Sequence, residues 1–129
     1  TTSRIDASGV LKEAAFKLFR GTIDFKHGSA GSVGNEKEDV LLLDDTAINQ
    51  TIPLILCAEE DVEGNHGATI GKLDEDLVFY LESRGMTLVE IYKMMAKARI
   101  DAVLRFVPDE KTKADVASYL ESEGSNGCK

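Results

Sequence analysis

The sequence changes character near Leu73, and this change limits the folds open to the chain. Residues 21–73 are rich in Gly, Thr and aliphatic residues, whereas residues 74–124 contain helix-forming residues separated by capping residues. With 129 residues, the chain is long enough to be one domain with a buried core, or part of a larger protein. The sequence therefore predicts a strand-rich part followed by a helical part.

Strand signals occur three times in the first part. Thr22–Lys26 alternates between polar and apolar residues, and Asp39–Leu43 and Pro53–Ala58 are short apolar runs typical of buried strands. Residues 9–20 differ, because their apolar residues recur at helical spacing and Gly21 suits the position after a helix end. Taken alone, residues 9–20 predict a helix.

Capping residues predict three helices in the second part. Asp74 is a suitable N-cap and Gly85 a suitable stop, which defines the first helix. Thr87 and Glu90 have the spacing of a capping box, which begins the second. The predicted helices run over residues 75–84, from Thr87 to about Phe106, and from Pro108–Asp109 to a point before Gly124.

Charge and composition exclude several classes of protein. The net charge is −8, which is opposite to the basic footprint of a nucleic-acid-binding protein, and an acidic membrane surface would also repel the chain. The longest apolar runs, such as Ile52–Ala58, are far shorter than the roughly 20 residues that a transmembrane helix needs. The N-terminus lacks the layout of a signal peptide. We therefore expect a cytoplasmic protein without nucleic-acid or membrane partners.

The two cysteines are too few for a disulfide framework and lack any CxxC spacing. Cys57 lies inside an apolar run, so we expect it to be an inert buried thiol. Cys128 lies beside the C-terminus and is expected to be a thiol of the tail. The sequence favours a reduced protein but defines no role for either cysteine.

Phosphate-binding motifs are incomplete in this chain. The glycines of residues 28–34 precede acidic residues, whereas a dinucleotide fingerprint needs G-x-G-x-x-G leading into a helix. Gly71-Lys72 is similar to the end of a P-loop, but His66 and Leu73 replace the glycine and the Ser or Thr that this motif requires. The sequence therefore predicts no nucleotide site.

His27 and His66 are the two histidines of the chain, and no metal-binding spacing links them to the cysteines. His66 lies beside the small residues Asn65 and Gly67, which would leave its imidazole exposed, so it is the functional candidate of the two. The alternative is a hydrogen bond within a turn. No Ser-His-Asp or paired-carboxylate arrangement can be identified, so the residues alone predict no enzyme.

The run Asp61–Met86 contains V-x-x-x-H-G-A-T-x-G-x-L-D followed by F-Y-L-x-S-R-G in one register. This composite resembles the C-terminal signature of the SufB/SufD family, and the resemblance extends more weakly over most of the chain. Gly67 follows His66 where SufB-type members have glutamate, and Glu38 lies near the position of a SufB cysteine. The resemblance is therefore to SufD-like members.

The resemblance implies a mainly β fold: a right-handed parallel β-helix portion over residues 1–73, followed by a C-terminal α-helical segment over residues 74–129. It also implies strand rather than helix for residues 9–20. Family members are several times longer, so we expect this chain to be a C-terminal portion. An open β-helix end would expose strand edges, which favours a homodimer.

The family implies a scaffold or accessory component of the SUF iron–sulfur cluster assembly machinery, and not an enzyme. It would dock the ATPase SufC and pair with SufB or a second SufB/SufD-type chain. His66 matches the family histidine near the cluster-forming interface and is the candidate cofactor-binding and metal residue. Imidazole can ligate iron, whereas a partner would supply thiolates. We expect no tightly bound cofactor, because the iron–sulfur cluster would be held only transiently in the full complex.

The resemblance also places a SufC-binding surface on the helix of the F-Y-L-x-S-R-G motif. Aromatic residues and arginine are enriched in the energetic centres of protein interfaces. Alternatively, Phe79 and Leu81 belong to a core and the charge of Arg84 stabilises a helix C-terminus. The candidate partner-binding residues are Phe79, Tyr80, Leu81, Arg84 and Gly85.

A β-helix enzyme that acts on polysaccharides is the alternative function. Such an enzyme would need exposed paired carboxylates or a metal along a groove. The same acidic residues could equally form a solvated face. The acidic residues in question are Asp39, Asp44, Asp45, Glu59, Glu60 and Asp61.

Overall fold

The computed structural model describes the backbone of residues 1–126 and the side chains of residues 1–120. Contacts divide the chain into two compact units. The first unit is Thr1–Asp74, and the second begins at Glu75. The first unit contains all the strands of the described chain and the second contains its helices.

Five parallel strands form the first unit. They are β1 (Thr2–Leu11), β2 (Phe16–Phe25), β3 (Ser32–Leu42), β4 (Ile48–Cys57) and β5 (Val62–Gly71). Successive strands alternate between a three-stranded sheet of order β1-β3-β5 and a two-stranded sheet of β2 and β4. Each strand therefore pairs with the next strand but one, and every pair is parallel. We call the face of each sheet that is turned toward the other sheet its inner face.

The predicted fold class is wrong. Strands account for 42% of residues 1–120 and helices for 31%, so the fold is not mainly β. The strands form two small sheets, and the described residues contain no β-helix solenoid. Apolar runs in the sequence indicate where strands lie. They do not show which strands pair or how many strands form one sheet, because paired strands lie about thirty residues apart in the chain.

Residues 9–20 are not helical, as their apolar spacing alone would predict. Gly9–Leu11 end β1 and Phe16–Arg20 begin β2, so the strand prediction is confirmed for these residues. Residues 12–15 form the connection, in which Glu13 has a positive φ of 55°. A short apolar run with small residues is compatible with the helical repeat of 3.6 residues and with the strand repeat of two. Gly9–Leu11 and Phe16–Arg20 are strand because β1 pairs with β3 and β2 pairs with β4.

The interior of the first unit depends on close packing between aromatic rings and glycines. Phe25 of β2 is 4% exposed, and its ring lies against Gly34 and Gly64, which are in register on β3 and β5. A Cβ atom at Gly34 would lie 2.6 Å from Cγ2 of Ile23, and one at Gly64 would lie 3.1 Å from the Phe25 ring. The absence of side chains on two neighbouring strands therefore makes room for one phenyl ring.

The interior also contains an ion pair. Glu38 of β3 is 1% exposed, and its carboxylate accepts hydrogen bonds from Lys17 Nζ and from the Thr51 hydroxyl. The Asn49 amide lies 3.4 Å from the same carboxylate. Burial raises the pKa of Glu38, but these hydrogen bonds and the charge of Lys17 lower it by more, so the net pKa lies below its ordinary value. Glu38 is therefore a buried, ionised carboxylate.

The outer face of the two-stranded sheet exposes several large apolar side chains among polar ones. The run that predicted a buried strand over Pro53–Ala58 does form β4, but Leu54 and Leu56 are 47% and 44% exposed. The prediction of burial is wrong because only one face of β4 is turned toward the other sheet. The exposed apolar residues of this face, named here the β2–β4 face, are Phe16, Leu18, Ile48, Ile52, Leu54 and Leu56.

The second unit contains α1 (Glu75–Ser83), α2 (Leu88–Leu104) and α3 (Glu110–Asn126). All three predicted helices are present, but α3 continues to Asn126 instead of ending before Gly124 as predicted, because a single glycine weakens a helix without stopping it. Gly85 has φ +93°, and the N–H groups of Gly85 and Met86 bond to the carbonyls of Glu82 and Leu81, as in a Schellman C-cap. Thr87 and Glu90 form the predicted capping box at the start of α2. Backbone chemistry visible in the sequence therefore sets the end of α1 and the start of α2.

We expect Lys17→Met to lower the free energy of unfolding by about 3 kcal/mol at neutral pH. This is the lower end of the range for breaking a buried ion pair, because Lys17 is 23% exposed. Urea denaturation measures the change. The double variant Lys17→Met with Glu38→Leu removes both charges and should recover most of the lost stability; a double variant as unstable as Lys17→Met would contradict the prediction.

The cost of Lys17→Met should also depend on pH. Since the folded-state pKa of Glu38 is lowered, its contribution to stability is present above its ordinary pKa of 4.5 and is lost as the pH falls through the folded-state value. The stability difference between wild type and Lys17→Met should therefore shrink in acid. A difference that stays constant down to the acid unfolding region would contradict the ion-pair interpretation.

We expect Gly34→Ala to destabilise the chain by about 1–3 kcal/mol, because the new methyl group would overpack the Ile23 side chain. Gly67→Ala is the matched control, since no atom lies within 4 Å of a Cβ at that position of β5. The control should change stability by less than about 0.5 kcal/mol. Equal melting temperatures for the two variants would contradict this account of the interior.

Candidate functional site

His66 lies near the middle of β5, the last strand of the three-stranded sheet. Its imidazole is exposed, as the sequence predicts from its small neighbours. In the sheet register, His66 lies beside Glu36 of β3, and Glu36 lies beside Ile5 of β1. Residues in register on parallel strands present their side chains to the same face, so these three side chains form one row.

Glu36 is the neighbour of His66 in this row, and it is buried. It is 4% exposed, and its Oε2 atom has no hydrogen-bond partner. The carboxylate extends across the interior to β2, where an added Cβ at Gly21 would lie 2.2 Å from it. A glycine on β2 therefore makes the space that the Glu36 carboxylate occupies.

An open groove of about 540 Å³ lies along the three-stranded sheet. Its polar lining includes Arg4, whose Nε donates to Asp6 at 2.6 Å, and Asn65, whose amide donates to Asn35 at 3.2 Å. His66 also borders this groove, but alternation along β5 directs its side chain to the opposite face from Asn65. The groove offers hydrogen bonds to a polar ligand, whereas the imidazole belongs to the inner face.

The F-Y-L-x-S-R-G residues lie on α1 and at its C-terminal end. Phe79 is 73% exposed and Tyr80 is 51% exposed, so Phe79 does not belong to a core. The Arg84 guanidinium lies 5.2 Å from the centre of the Tyr80 ring, which is a cation–π distance. Leu81 is half-buried, and Gly85 ends the helix. The exposed aromatic residues and the arginine are therefore available to a partner.

The sequence-predicted residues fall into two groups on different units. His66 belongs to the strand unit, whereas Phe79, Tyr80, Leu81, Arg84 and Gly85 belong to the helical unit. Cys57, predicted to be buried, is exposed, because it is the last residue of β4. Cys128 lies outside the described residues. Among the side chains that the structure describes, those of residues 1–120, no group of three or more His, Cys, Asp or Glu is arranged to hold a metal ion.

Sequence reasoning did not find the interior carboxylates as a pair. Glu36 and Glu38 stand in an acidic stretch that reads as a loop, although β3 already begins at Ser32. The sequence indicates this pair only through its spacing: Glu36 and Glu38 are two residues apart, which places both side chains on one face of a strand. Burial of that face becomes visible only when the pairing of β2 with β4 is known.

No helix in the described part of the chain is both long and apolar enough to span a membrane.

The acidic residues that a polysaccharide-acting enzyme would need do not favour that function. One of them, Asp45, forms an ion pair with Lys72 on the surface, which lowers the pKa of its carboxyl through a hydrogen bond and charge attraction. Such a pair is typical of a solvated face.

Comparisons with known proteins point to one family. The sequence model of the SufBD core domain, described as SUF system FeS cluster assembly, matches residues 1–99. The iron–sulfur cluster assembly protein SufD of Bacillus subtilis is 29% identical over 113 residues, which are 88% of this chain and 26% of that protein. A SufBD family protein of Mycobacterium tuberculosis is 32% identical over 110 residues, 85% of this chain and 13% of that protein.

A SufBD family protein of Staphylococcus epidermidis is similar over almost the whole chain, with 28% identity over 128 residues. These residues are 98% of this chain but 28% of that protein, so the chain spans less than a third of the length of each of these three relatives. The family model covers the strand unit and continues into α2. The chain therefore belongs to the SufBD core-domain family of the SUF iron–sulfur cluster assembly system.

Proposed function

We propose that the chain is a non-enzymatic component of SUF iron–sulfur cluster assembly that docks the ATPase SufC and contributes to a cluster-forming interface. Membership of the SufBD family carries this proposal, together with relatives that are named for cluster assembly. The helical unit supplies the docking surface and the strand unit supplies His66. ATP hydrolysis is assigned to the partner, because the chain lacks a complete P-loop motif.

The docking surface is centred on Phe79, Tyr80 and Arg84 of α1. The Phe79 ring is 73% exposed, so covering it with a partner surface would contribute favourably to the free energy of binding. Arg84 can add hydrogen bonds to carboxylates of the partner. Arginine stacked on Tyr80 is also held in position before binding, which reduces the conformational entropy lost on docking. These properties are those of an interface centre.

His66 contributes one nitrogen ligand at the cluster-forming interface in this proposal. Its imidazole is exposed, and a neutral imidazole is a good ligand for iron. Cysteine thiolates supply most ligands of iron–sulfur clusters, and these come from the partner chain. The cluster is thus cargo that the complex holds transiently and not a resident cofactor of this chain.

The partner chain is SufB or a second SufB/SufD-type chain, and copies of this chain associate as a homodimer. The β2–β4 face supports such association, because six large apolar side chains, each at least 41% exposed, lie on a two-stranded sheet. Large apolar side chains clustered on one exposed face often mark a surface that binds another chain. Burial of this face by another chain would remove it from water.

We expect Phe79→Ala and Arg84→Ala each to weaken SufC binding by about tenfold or more, since removal of an interface centre has effects of this size. Isothermal titration calorimetry with and without ATP measures the affinity. Phe106→Ala is the matched control, because Phe106 is an aromatic residue 85% exposed outside the motif. Wild-type affinity in both motif variants, with unchanged melting temperatures, would overturn the docking proposal.

We expect light scattering to give a mass that rises toward twice the chain mass as the protein concentration increases. Leu54→Asp should shift this equilibrium toward the monomer, because it places a charge within the β2–β4 face. Val103→Asp is the control, since Val103 is similarly exposed on α2. A strictly monomeric wild type at high concentration would contradict the homodimer.

A further inference from the structure

Glu36 is a buried carboxylate with an unused hydrogen-bond acceptor. It is 4% exposed, and its Oε2 atom accepts no hydrogen bond. Buried polar atoms are normally satisfied, because removing them from water without a new partner is costly. The Oε2 atom of Glu36 is therefore an acceptor inside the sheets that a neighbouring donor would satisfy.

The surroundings of this carboxylate offer few donors. On its own strand, Gly34 has no side chain and Glu38 is itself an acceptor. On the opposite sheet the carboxylate lies against Gly21, whose register partner on β4 is Pro53, a residue without an N–H group. These four positions provide no side-chain donor to Glu36.

The two residues in register with Glu36 differ in whether their side chains can donate a hydrogen bond. Ile5 on β1 is apolar, whereas His66 on β5 carries a ring N–H in either neutral tautomer. Lys17 is a partly buried cation of the same interior, but its ammonium donates to Glu38 and to Asn49. His66 is therefore the register neighbour that can satisfy the Glu36 carboxylate.

We propose that Glu36 is the positioning residue of His66. When the exposed imidazole turns inward about its side-chain torsions, one ring N–H donates to Glu36 Oε2. The second ring nitrogen then carries the lone pair and is directed away from the carboxylate. The inference rests on the proposed role of His66 as a nitrogen ligand and adds the residue that selects its tautomer.

The physical advantage of such a pair is general. A histidine that ligates a metal usually donates its other N–H to a carboxylate or carbonyl, which fixes the ring orientation and raises the basicity of the ligating nitrogen. Adjacent parallel strands lie about 4.8 Å apart, so side chains in register are close enough for this contact. Glu36 occupies the position from which a carboxylate can act in this way.

Nuclear magnetic resonance of the ¹⁵N-labelled chain tests the proposal without iron or any partner. Long-range ¹H–¹⁵N spectra report the tautomer ratio of each histidine, measured at about pH 8.5, where an ordinary imidazole is neutral. The chain has only two histidines, so exposed His27 is an internal reference. We expect Glu36→Leu to change the tautomer ratio of His66 by about tenfold, the effect of a hydrogen bond to a charged acceptor, and to leave His27 unchanged.

Glu36→Gln keeps an acceptor oxygen of the same reach and should give an intermediate His66 ratio. If Glu36→Leu does not fold, the wild-type spectrum alone decides: a His66 ratio equal to that of His27 overturns the proposal. An unchanged His66 ratio in folded Glu36→Leu also overturns it. The measurement involves only the strand unit, so its failure is distinct from a failure of docking at Phe79 and Arg84, which calorimetry detects.

Discussion

Parallel pairing between alternate strands is the constraint on which the first unit depends. Val33 lies between Thr2 and Glu63 in the sheet register, so each backbone bond in the three-stranded sheet joins segments about thirty residues apart. This register places His66 beside Glu36 and Gly64 beside Gly34. A slip of one residue would turn both the histidine and the interior carboxylates to the opposite face.

The polar interior is a second consequence of this arrangement. Two carboxylates at alternate positions of β3 face inward, where two small sheets cannot supply an entirely apolar core. Glu38 is compensated by Lys17 and by hydrogen bonds, whereas one oxygen of Glu36 is not. The Glu38 carboxylate therefore stabilises the fold, whereas the Glu36 carboxylate has an oxygen free to accept a hydrogen bond from a neighbouring side chain.

The sequence predicts the helical unit in more detail than the strand unit. Helix boundaries follow from local chemistry, since Gly85 and the Thr87–Glu90 capping box act within a few residues. Strands over residues 22–25, 39–42 and 53–57 are also visible as local patterns. Strand pairing, the exposure of Leu54 and the burial of Glu36 are not, because each depends on a segment distant in the chain. The motif that contains His66 indicates a family residue, but its neighbour on β3 emerges only from the register.

The same distance between paired strands affects how the chain folds. Each parallel pair closes a loop of about thirty residues before its backbone bonds can form, whereas a helix forms from contacts within four residues. We therefore expect helical turns to form faster than any of the three parallel strand pairs. Until β2 and β4 pair, their apolar side chains and unpaired backbone groups are open to other chains. Synthesis of β4 follows that of β2, so a nascent chain carries an unpartnered β2 until the later segment has emerged.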